Sequence, residues 1–235
     1  EKATSRLALE SEQARSEKLL LNILPSPIAE RLKREERTIA DGYADVCVLF
    51  ADLVNFTKLS EEMSPNQIVS LLNQIFSAFD QLADKHGLEK IKTIGDAYMV
   101  AGGLNYRIDH DYVIATMEMA KDMHAAVAQL TPSGREPLAL RVGIATGPAV
   151  AGVIGTKKFI YDLWGDTVNL ASRVTDKAGA GSVLVDTQTY RCMNSLYEFE
   201  GPLVLDVRGK GEVNAYRLLR RRSGVAAIGP ARELN

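Results

Sequence analysis

The stretch that most constrains this chain is residues 45–57, DVCVLFADLVNFT, in which Asp52 closes an apolar run. Val, Leu and Phe at this density predict a buried β-strand. An aspartate at the end of such a strand loses several kcal/mol of hydration unless a cation or hydrogen bonds replace the water. We therefore expect a positively charged group beside Asp52.

A second carboxylate has a comparable setting in residues 90–100, KIKTIGDAYMV. Two short β-prone segments flank Gly95 and Asp96, which predicts a hairpin with Asp96 at its tip. If this hairpin pairs beside the first strand, Asp52 and Asp96 converge, and two hard carboxylates suit Mg²⁺ or Mn²⁺ bridging phosphate oxygens. The alternative is that each aspartate only caps a loop, and the residues alone leave both interpretations open.

Composition narrows the class of protein. The 235 residues are 46% hydrophobic and 25% charged, which predicts one globular domain with appendages. The net charge of −2 gives no indication of a nucleic-acid partner. Cys47 and Cys192 lack a second ligand at metal spacing and predict reduced thiols in a cytosolic compartment. There is neither a membrane-spanning apolar run nor a signal peptide. The start at Glu1 suggests a piece of a longer protein, for which an upstream membrane segment stays an option.

Residues 1–39 are predicted to be a helical linker. Residues 1–24 contain neither Gly nor Pro, and Pro25 and Pro27 end this first helix, with Pro27 opening a second over residues 28–36. A weak heptad pattern runs through Ala3, Leu7, Ala14, Leu21 and Leu24, with Glu10 and Glu17 interrupting its d positions. A dimerising coiled coil and a solvated helix fit this pattern equally well.

Residues 40–219 predict one folded domain. Its strand, helix, hairpin, helix, strand order is βαββαβ, a ferredoxin-like α/β (α+β) sandwich core, followed here by an additional αβ lobe. We expect a strand over residues 138–146 broken by Gly147 and Pro148, a hairpin over residues 150–163, and a helix N-capped by Asp166. Residues 220–235 lack a core pattern and predict a disordered tail.

Three segments in this order are together distinctive: FADLVNFT at 50–57, KIKTIGD at 90–96 and YDLWGDTVNLASR at 161–173. Over roughly residues 40–219 the chain resembles the class III nucleotidyl cyclases, in particular the homodimeric bacterial adenylyl cyclase catalytic domain. The resemblance implies an enzyme that converts ATP to cyclic AMP and pyrophosphate. It also implies a homodimer with each active site at the interface.

The resemblance assigns the metal-binding side of that site. Asp52 and Asp96 are implied to hold two Mg²⁺ or Mn²⁺ ions, with the Leu53 carbonyl as a possible third ligand, in agreement with the direct interpretation above. Phe56 and Thr57 follow the metal-binding strand, where backbone N–H groups can surround the β- and γ-phosphates. For Phe56 we expect core packing as well.

The resemblance also assigns residues that contact the base and the sugar of the nucleotide. Lys92 and Asp162 correspond to the family's base-selecting pair, and an ammonium facing N1 with a carboxylate facing the N6 amino group matches adenine. Guanylyl members typically carry glutamate and cysteine at these positions, so this chain is predicted to use ATP. Asn169 and Arg173, spaced i, i+4 on one helix face, are implied to bind the ribose and the charge developing at the α-phosphate. Lys210 is implied to contact the terminal phosphates, with Arg208 the alternative.

Three other functions fit the sequence less well. A guanylyl cyclase is disfavoured by Lys92 and Asp162, and a polymerase-palm enzyme by the Asn169 and Arg173 helix. A silent regulatory domain is expected to lack a metal aspartate or the Asn/Arg pair, and this chain has both. We further expect residues 1–36 to set the relative orientation of the two catalytic domains. The fragment is predicted to be cytoplasmic, with an upstream sensor or membrane domain in the full-length protein.

Overall fold

A computed structural model describes residues 2–34, 38–104, 111–131, 137–155 and 158–223. The helices are α1 (Lys2–Leu21), α2 (Ser26–Lys33), α3 (Phe56–Glu61), α4 (Pro65–His86), α5 (Asp111–Gln129), α6 (Asp166–Lys177) and α7 (Thr187–Met193). The strands are β1 (Ile39–Leu53), β2 (Glu89–Ile94), β3 (Ala97–Gly102), β4 (Leu140–Ile154), β5 (Ile160–Trp164), β6 (Val183–Asp186), β7 (Tyr197–Val207) and β8 (Gly211–Arg221).

The strands form one sheet in the order β2-β3-β1-β4-β6-β8-β7, and β5 pairs with the far part of β4. Its four strands β4-β1-β3-β2 are antiparallel and, with α4 and α5, make the expected ferredoxin-like core. The β4–β6 pair is parallel, which brings α6, β6, α7, β7 and β8 together as the additional αβ lobe. The predicted fold class is therefore confirmed.

Both faces of the central sheet are covered. Leu49 and Tyr98 pack with Ile75 of α4 and Met117 of α5 in one buried cluster. Alternate residues of the same strands point to the opposite face, where Phe50 joins a second cluster that also contains residues of α2 and α6. A strand buried on both faces has no polar alternation, which is why β1 has so continuous an apolar sequence.

The helix α4 follows its sequence signals closely. The Ser64 hydroxyl oxygen accepts a hydrogen bond from the Gln67 backbone N–H, and the Ser64 backbone N–H donates one to the Gln67 side-chain oxygen, which is a complete capping box. The helix ends at Gly87, whose φ of 65° lies in the left-handed region that glycine adopts without strain.

The strand β4 corrects one prediction, because it continues through Gly147 and Pro148 instead of breaking there. Pro148 lies opposite the bulge where the β1–β4 register shifts between Tyr43 and Val46. At a bulge the missing proline N–H removes no hydrogen bond from the ladder. The predicted hairpin beyond it does form, with Val150 opposite Trp164 and Ile154 opposite Ile160.

Helix α6 lies directly on β4 because Gly143 has no side chain. A Cβ atom at Gly143 would meet the Thr175 backbone nitrogen at 2.4 Å and the Ala171 carbonyl oxygen at 2.7 Å. No larger residue fits that gap without moving the helix. The position of α6 is thus set by backbone packing against the sheet.

The linker helices are attached to the folded domain. Leu24, Ile28 and Ala29 are at most 5% exposed, and they pack in the second buried cluster. Arg31 donates a 2.5 Å hydrogen bond to Asp41 at the start of β1. Among the described residues, no helix combines the length and the hydropathy that a membrane crossing requires.

Two element ends differ from the predictions. Asp166 is the first residue of α6, and its N-cap is Gly165, which has no side chain to accept a capping hydrogen bond. The Asp166 carboxylate accepts instead from Lys210. Residues 220 and 221, predicted to begin the disordered tail, belong to β8, where Arg220 pairs with Glu198 of β7. Residues 222 and 223 are also described, and the Arg222 backbone N–H donates to the Leu196 carbonyl oxygen at 2.9 Å. Residues 224–235 of the predicted tail lie outside the described residues.

Candidate functional site

Asp52 lies beside the positive group that its sequence setting requires. It is paired across the sheet with Arg141 of β4. The Arg141 Nε and Nη2 atoms donate hydrogen bonds of 2.7 Å and 2.5 Å to Asp52 Oδ2. The Asp52 side chain is 18% exposed, so this forked ion pair replaces most of the lost hydration.

Asp96 lies at the tip of the β2–β3 hairpin, as predicted. Its neighbour Ala97 is directly opposite Asp52, so the two carboxylates lie side by side where β1 ends and β3 begins. Partial burial and then the charge of Asp52 raise the pKa of Asp96. Two carboxylates that repel each other at this distance are stabilised by a cation bound between them.

The donor set fits a hard divalent metal. Asp52 and Asp96 offer carboxylate oxygens, and the backbone carbonyl of Leu53 follows at the end of β1. Within the described parts of the chain, no group of three His, Cys, Asp or Glu residues is placed to hold a metal ion. Further ligands for a metal would therefore be backbone, water or substrate oxygens. We call Asp52, Asp96 and Arg141 the carboxylate site.

A short helix replaces the turn expected after β1. Asn55 adopts φ of 60°, and α3 then begins at Phe56 with Thr57 in its first turn. N–H groups in a first helical turn have no partner within the helix. Phe56 also packs against the core, which anchors this turn beside the carboxylate site.

Lys92 of β2 and Asp162 of β5 form an ion pair. The Lys92 ammonium donates to Asp162 Oδ2, and the Leu163 backbone N–H donates to the other carboxylate oxygen at 2.8 Å. The Asp162 side chain is 11% exposed and that of Lys92 is 33% exposed. Asp162 is thus a hydrogen-bond acceptor held in place by the backbone, and Lys92 is a donor whose side chain reaches solvent.

Asn169 and Arg173 line an open cleft of about 790 Å³ on the outer side of α6. Arg208, from the turn between β7 and β8, lines the same cleft. Neither Asn169 nor Arg173 makes a side-chain hydrogen bond or ion pair with another residue of the described chain. We call this cavity the α6 cleft; its lining consists of Asn169, Ser172, Arg173, Asp176, Lys177, Asp206, Val207 and Arg208.

Lys210 lies in the same β7–β8 turn, but its ammonium group donates to Asp166 at the start of α6. It does not line the α6 cleft, whereas Arg208 does. Both residues lie at the surface of the described chain.

The structure thus forms three groups from the predicted site residues: the carboxylate site, the Lys92–Asp162 pair and the α6 cleft. The first and the third adjoin each other, since Arg141 Nη1 donates to the Asp176 carbonyl oxygen at 3.4 Å and Asp176 lines the α6 cleft. Arg141 was missed by the sequence interpretation, although the expectation of a cation beside Asp52 was a signal for it. Arg208 was named only as an alternative to Lys210. Its identification needs the fold of the β7–β8 turn.

The comparisons with known proteins agree on one family. The sequence family described as the adenylate and guanylate cyclase catalytic domain matches residues 39–220. An adenylate cyclase of Mycobacterium tuberculosis is 44% identical over 222 residues, covering 94% of this chain. The chain spans 50% of the length of that relative.

Solved structures give the same assignment. The guanylate cyclase domain of RhGC from Catenaria anguillulae, in complex with GTP, has a TM-score of 0.73 at 30% identity, covering 77% of this chain and 100% of that domain. The adenylyl cyclase CyaB from P. aeruginosa has a TM-score of 0.73 at 27% identity, covering 80% of this chain and 99% of that one.

Proposed function

Because this chain belongs to the family of adenylate and guanylate cyclase catalytic domains, we propose that it is an adenylyl cyclase. It converts ATP to 3′,5′-cyclic AMP and pyrophosphate, by attack of the ribose 3′-hydroxyl on the α-phosphate. The relatives include enzymes for both nucleotides, so the choice of ATP over GTP rests on residues of this chain.

The observation that carries the proposal is the Lys92–Asp162 pair. An ammonium donor suits the N1 acceptor of adenine, and a carboxylate acceptor suits its N6 amino group. Guanine presents the reverse pattern, with an accepting O6 and a donating N1–H, and would leave both charged groups mismatched. An unpaired group at a site that excludes water costs about 1–3 kcal/mol. This difference favours adenine.

Asp52 and Asp96 are the residues proposed to hold two Mg²⁺ or Mn²⁺ ions, with the Leu53 carbonyl as a further ligand. When bound, such ions lower the pKa of the attacking hydroxyl and neutralise the leaving pyrophosphate. The Arg141 guanidinium balances Asp52 in the folded chain. With Asp52 engaged as a metal ligand, the guanidinium would be able to donate to phosphate oxygens beside it. Phe56 and Thr57 orient the first-turn N–H groups of α3 toward the same phosphates.

The α6 cleft is proposed to act on the sugar and the phosphates. Asn169 orients the ribose, and Arg173 stabilises the charge that develops at the α-phosphate. An arginine in this role is worth about 10³–10⁵ in rate, roughly 4–7 kcal/mol. Arg208 shares the cleft and joins Lys210 as a candidate contact to the terminal phosphates.

We propose that the complete site forms across a homodimer, in which the carboxylate site of one chain faces the α6 cleft of the other. Support comes from the β4–β5 hairpin, which exposes a group of large apolar side chains: Val150, Ile154, Phe159, Ile160 and Trp164. Contiguous exposed apolar surface of this kind is typical of an interaction site. A twofold axis through such a patch gives two equivalent active sites.

The linker is proposed to regulate this dimer. Its helix α2 is packed on the catalytic domain through Ile28 and Ala29 and is held to β1 by Arg31 and Asp41. A rotation of α1 would therefore reach the sheet through α2. An upstream sensor or membrane domain, with this domain on the cytoplasmic side, stays a prediction from the sequence.

The test is steady-state turnover of the purified chain with ATP and, separately, GTP, in Mg²⁺ and in Mn²⁺, over a range of protein concentrations. We expect cyclic AMP as the main product and a specific activity that rises with concentration, as sites shared between chains require. A preference for GTP would contradict the role of Lys92 and Asp162. No cyclic product at any concentration would contradict the proposed activity.

A further inference from the structure

Two adjoining cavities lie where the linker meets the sheet. The larger, of about 550 Å³, is bounded by residues 21–26 on one side and by α4 and β2 on the other. The smaller, of about 280 Å³, lies under α2. Pro25, Glu89 and Tyr161 line both. We call the larger one the elbow cavity; no residue assigned to the nucleotide lines it, and its volume suits a small organic molecule.

Tyr161 is a buried residue whose hydroxyl group has no hydrogen-bond partner among the described residues. Its residue is 7% exposed, and its side chain lines both cavities. No described residue forms a hydrogen bond with its hydroxyl group. Burial raises the pKa of Tyr161, so the hydroxyl stays protonated at neutral pH. Because the ring is buried while the hydroxyl oxygen is not among the buried atoms, this hydroxyl is accessible from the cavities and can donate to or accept from a ligand there.

The charge of the elbow cavity is negative. Asp80, Asp84 and Glu89 line it together with one cation, Lys90. Asp80 is satisfied, since it accepts 2.7 Å hydrogen bonds from the Tyr98 hydroxyl and the Lys90 ammonium. Glu89 makes no hydrogen bond or ion pair with a described residue, and burial followed by the charge of Asp84 raises its pKa.

The rest of the wall is mostly apolar, with Asn22 and Ser26 as its further polar residues. It consists mainly of Leu21, Leu24, Ala83, Leu88 and Ile91. An anion would be repelled here, and a neutral apolar molecule would leave Glu89 without a counter-charge. A ligand with one positive group and an apolar body satisfies both kinds of wall.

We propose that the elbow cavity binds a small amphipathic organic ammonium ion. Its ammonium group donates to the carboxylates of Glu89 and Asp84 and to the hydroxyl oxygen of Tyr161, and its apolar body lies against Leu24 and Leu88. Such a ligand contacts the linker and the catalytic domain at once.

The site also adjoins the residues proposed to select the base. Tyr161 immediately precedes Asp162 on β5, and Ile91 immediately precedes Lys92 on β2. A ligand in the elbow cavity thus fixes the linker against the strands that carry the Lys92–Asp162 pair, and turnover should respond to it. This regulatory part rests on the proposed cyclase activity, whereas the binding part does not.

The first experiment measures binding by isothermal titration calorimetry, with 2-phenylethylamine as the probe and neither nucleotide nor metal present. Its neutral analogue 2-phenylethanol and the anion 3-phenylpropanoate have similar apolar bodies. We expect the amine to bind at least about tenfold more tightly than the alcohol, and no heat from the anion. Equal affinity for amine and alcohol would overturn the proposal, and this comparison needs only the unmodified chain.

Variants locate the site. Glu89→Gln should weaken amine binding about tenfold, and Tyr161→Phe about threefold, because each removes one group that receives the ammonium. Glu212→Gln, an exposed carboxylate of β8 outside the cavity, is the matched control and should bind as the unmodified chain does. Binding that is unchanged in Glu89→Gln would overturn the assignment.

A second experiment measures turnover with ATP at a saturating concentration of the amine. A change of about twofold or more that is lost in Glu89→Gln supports the regulatory coupling. Binding without any change in turnover would overturn that coupling. Absence of turnover with either nucleotide would instead contradict the proposed function, while the calorimetry still decides whether the cavity binds amines.

Discussion

The carboxylate site and the α6 cleft differ in how far the folded chain balances its own charges. In the carboxylate site, Asp52 is held by two hydrogen bonds from Arg141, and the pair is anchored between neighbouring strands of the sheet. In the α6 cleft, Arg173 and Asn169 have no such partner within the described chain, and the space beside them is about 790 Å³.

This difference indicates how the work of catalysis is divided. A balanced, partly buried charge pair is rigid before any ligand binds, so it suits metal binding. An uncompensated arginine on an open helix face suits an anion that arrives from outside the chain. The carboxylate site thus offers metal ligands, and the α6 cleft offers a cation for the phosphates. Each region supplies a different part of the proposed active site.

The largest effect should come from breaking the carboxylate site. Asp96→Ala removes one of the two carboxylates proposed to bind metal, and we expect kcat/KM with ATP to fall about 10⁴-fold. Steady-state kinetics in saturating Mn²⁺ is the measurement. Glu61→Ala, an exposed carboxylate at the end of α3, is the control and should keep full activity. A loss of less than about tenfold in Asp96→Ala would remove the metal role from this residue.

The next effect comes from the α6 cleft. Arg173→Ala leaves the fold intact, because the side chain has no partner within the described residues, but it removes the proposed transition-state cation. We expect kcat to fall about 10³-fold with little change in thermal stability. A fall in stability in place of activity would assign Arg173 a structural role.

Mixing these two variants tests the comparison directly. If the two regions meet across a homodimer, Asp96→Ala and Arg173→Ala chains form mixed dimers with one intact site. Random pairing makes half of the dimers mixed, with one site in two active, so about a quarter of the full activity should return. Mixing Asp96→Ala with Asp52→Ala is the control and should restore nothing, since both changes affect the same region.

A smaller effect is expected from the base-selecting pair, which belongs to neither region. Lys92→Glu together with Asp162→Cys replaces the pattern that suits adenine with the one typical of guanylyl members. The ratio of kcat/KM for ATP to that for GTP should fall about 10²-fold, since two charged hydrogen bonds are lost for adenine. Competition between the two nucleotides in one reaction measures this ratio. An unchanged ratio would move base selection to other residues.

The smallest effect in this series concerns the packing of α6, the helix of the α6 cleft, on strand β4, which carries Arg141 of the carboxylate site. Gly143→Ala forces α6 away from β4, and we expect the free energy of unfolding to fall by about 2 kcal/mol. Urea denaturation measures it. Gly42→Ala on β1 is the matched control, since no atom lies within 4 Å of its added Cβ. Equal stability of the two variants would show that α6 is free to shift on the sheet.

The sequence predicted the ferredoxin-like core because its signals are local. The apolar run ending at Asp52 and the Gly95–Asp96 turn each act over a few residues, and both were confirmed. The expected cation beside Asp52 was also confirmed, but its identity was not predicted. Arg141 is 89 residues away, and only the β1–β4 register brings the two together.

The errors and omissions share this nonlocal origin. Pro148 is a strand breaker by local rules, and the bulge on the neighbouring strand makes it harmless. Asp166 has the right residue type for an N-cap, yet it pairs with Lys210 from a distant turn. The elbow cavity exists only because the linker packs beside Glu89 and Tyr161, which local periodicity does not report.

The contact at Gly143 has a mechanical consequence. Because the Thr175 and Ala171 backbone atoms of α6 lie where a side chain of Gly143 would be, little compressible space separates α6 from β4 at this point, and we expect the helix to move with the sheet. The spacing of Asp52 and Arg173 within one chain is then nearly constant. In the proposed homodimer, the adjustable spacing is the one between chains, so opening and closing of the site become a change in the relative pose of two rigid halves. A signal arriving along the linker needs to turn one half against the other without reshaping either.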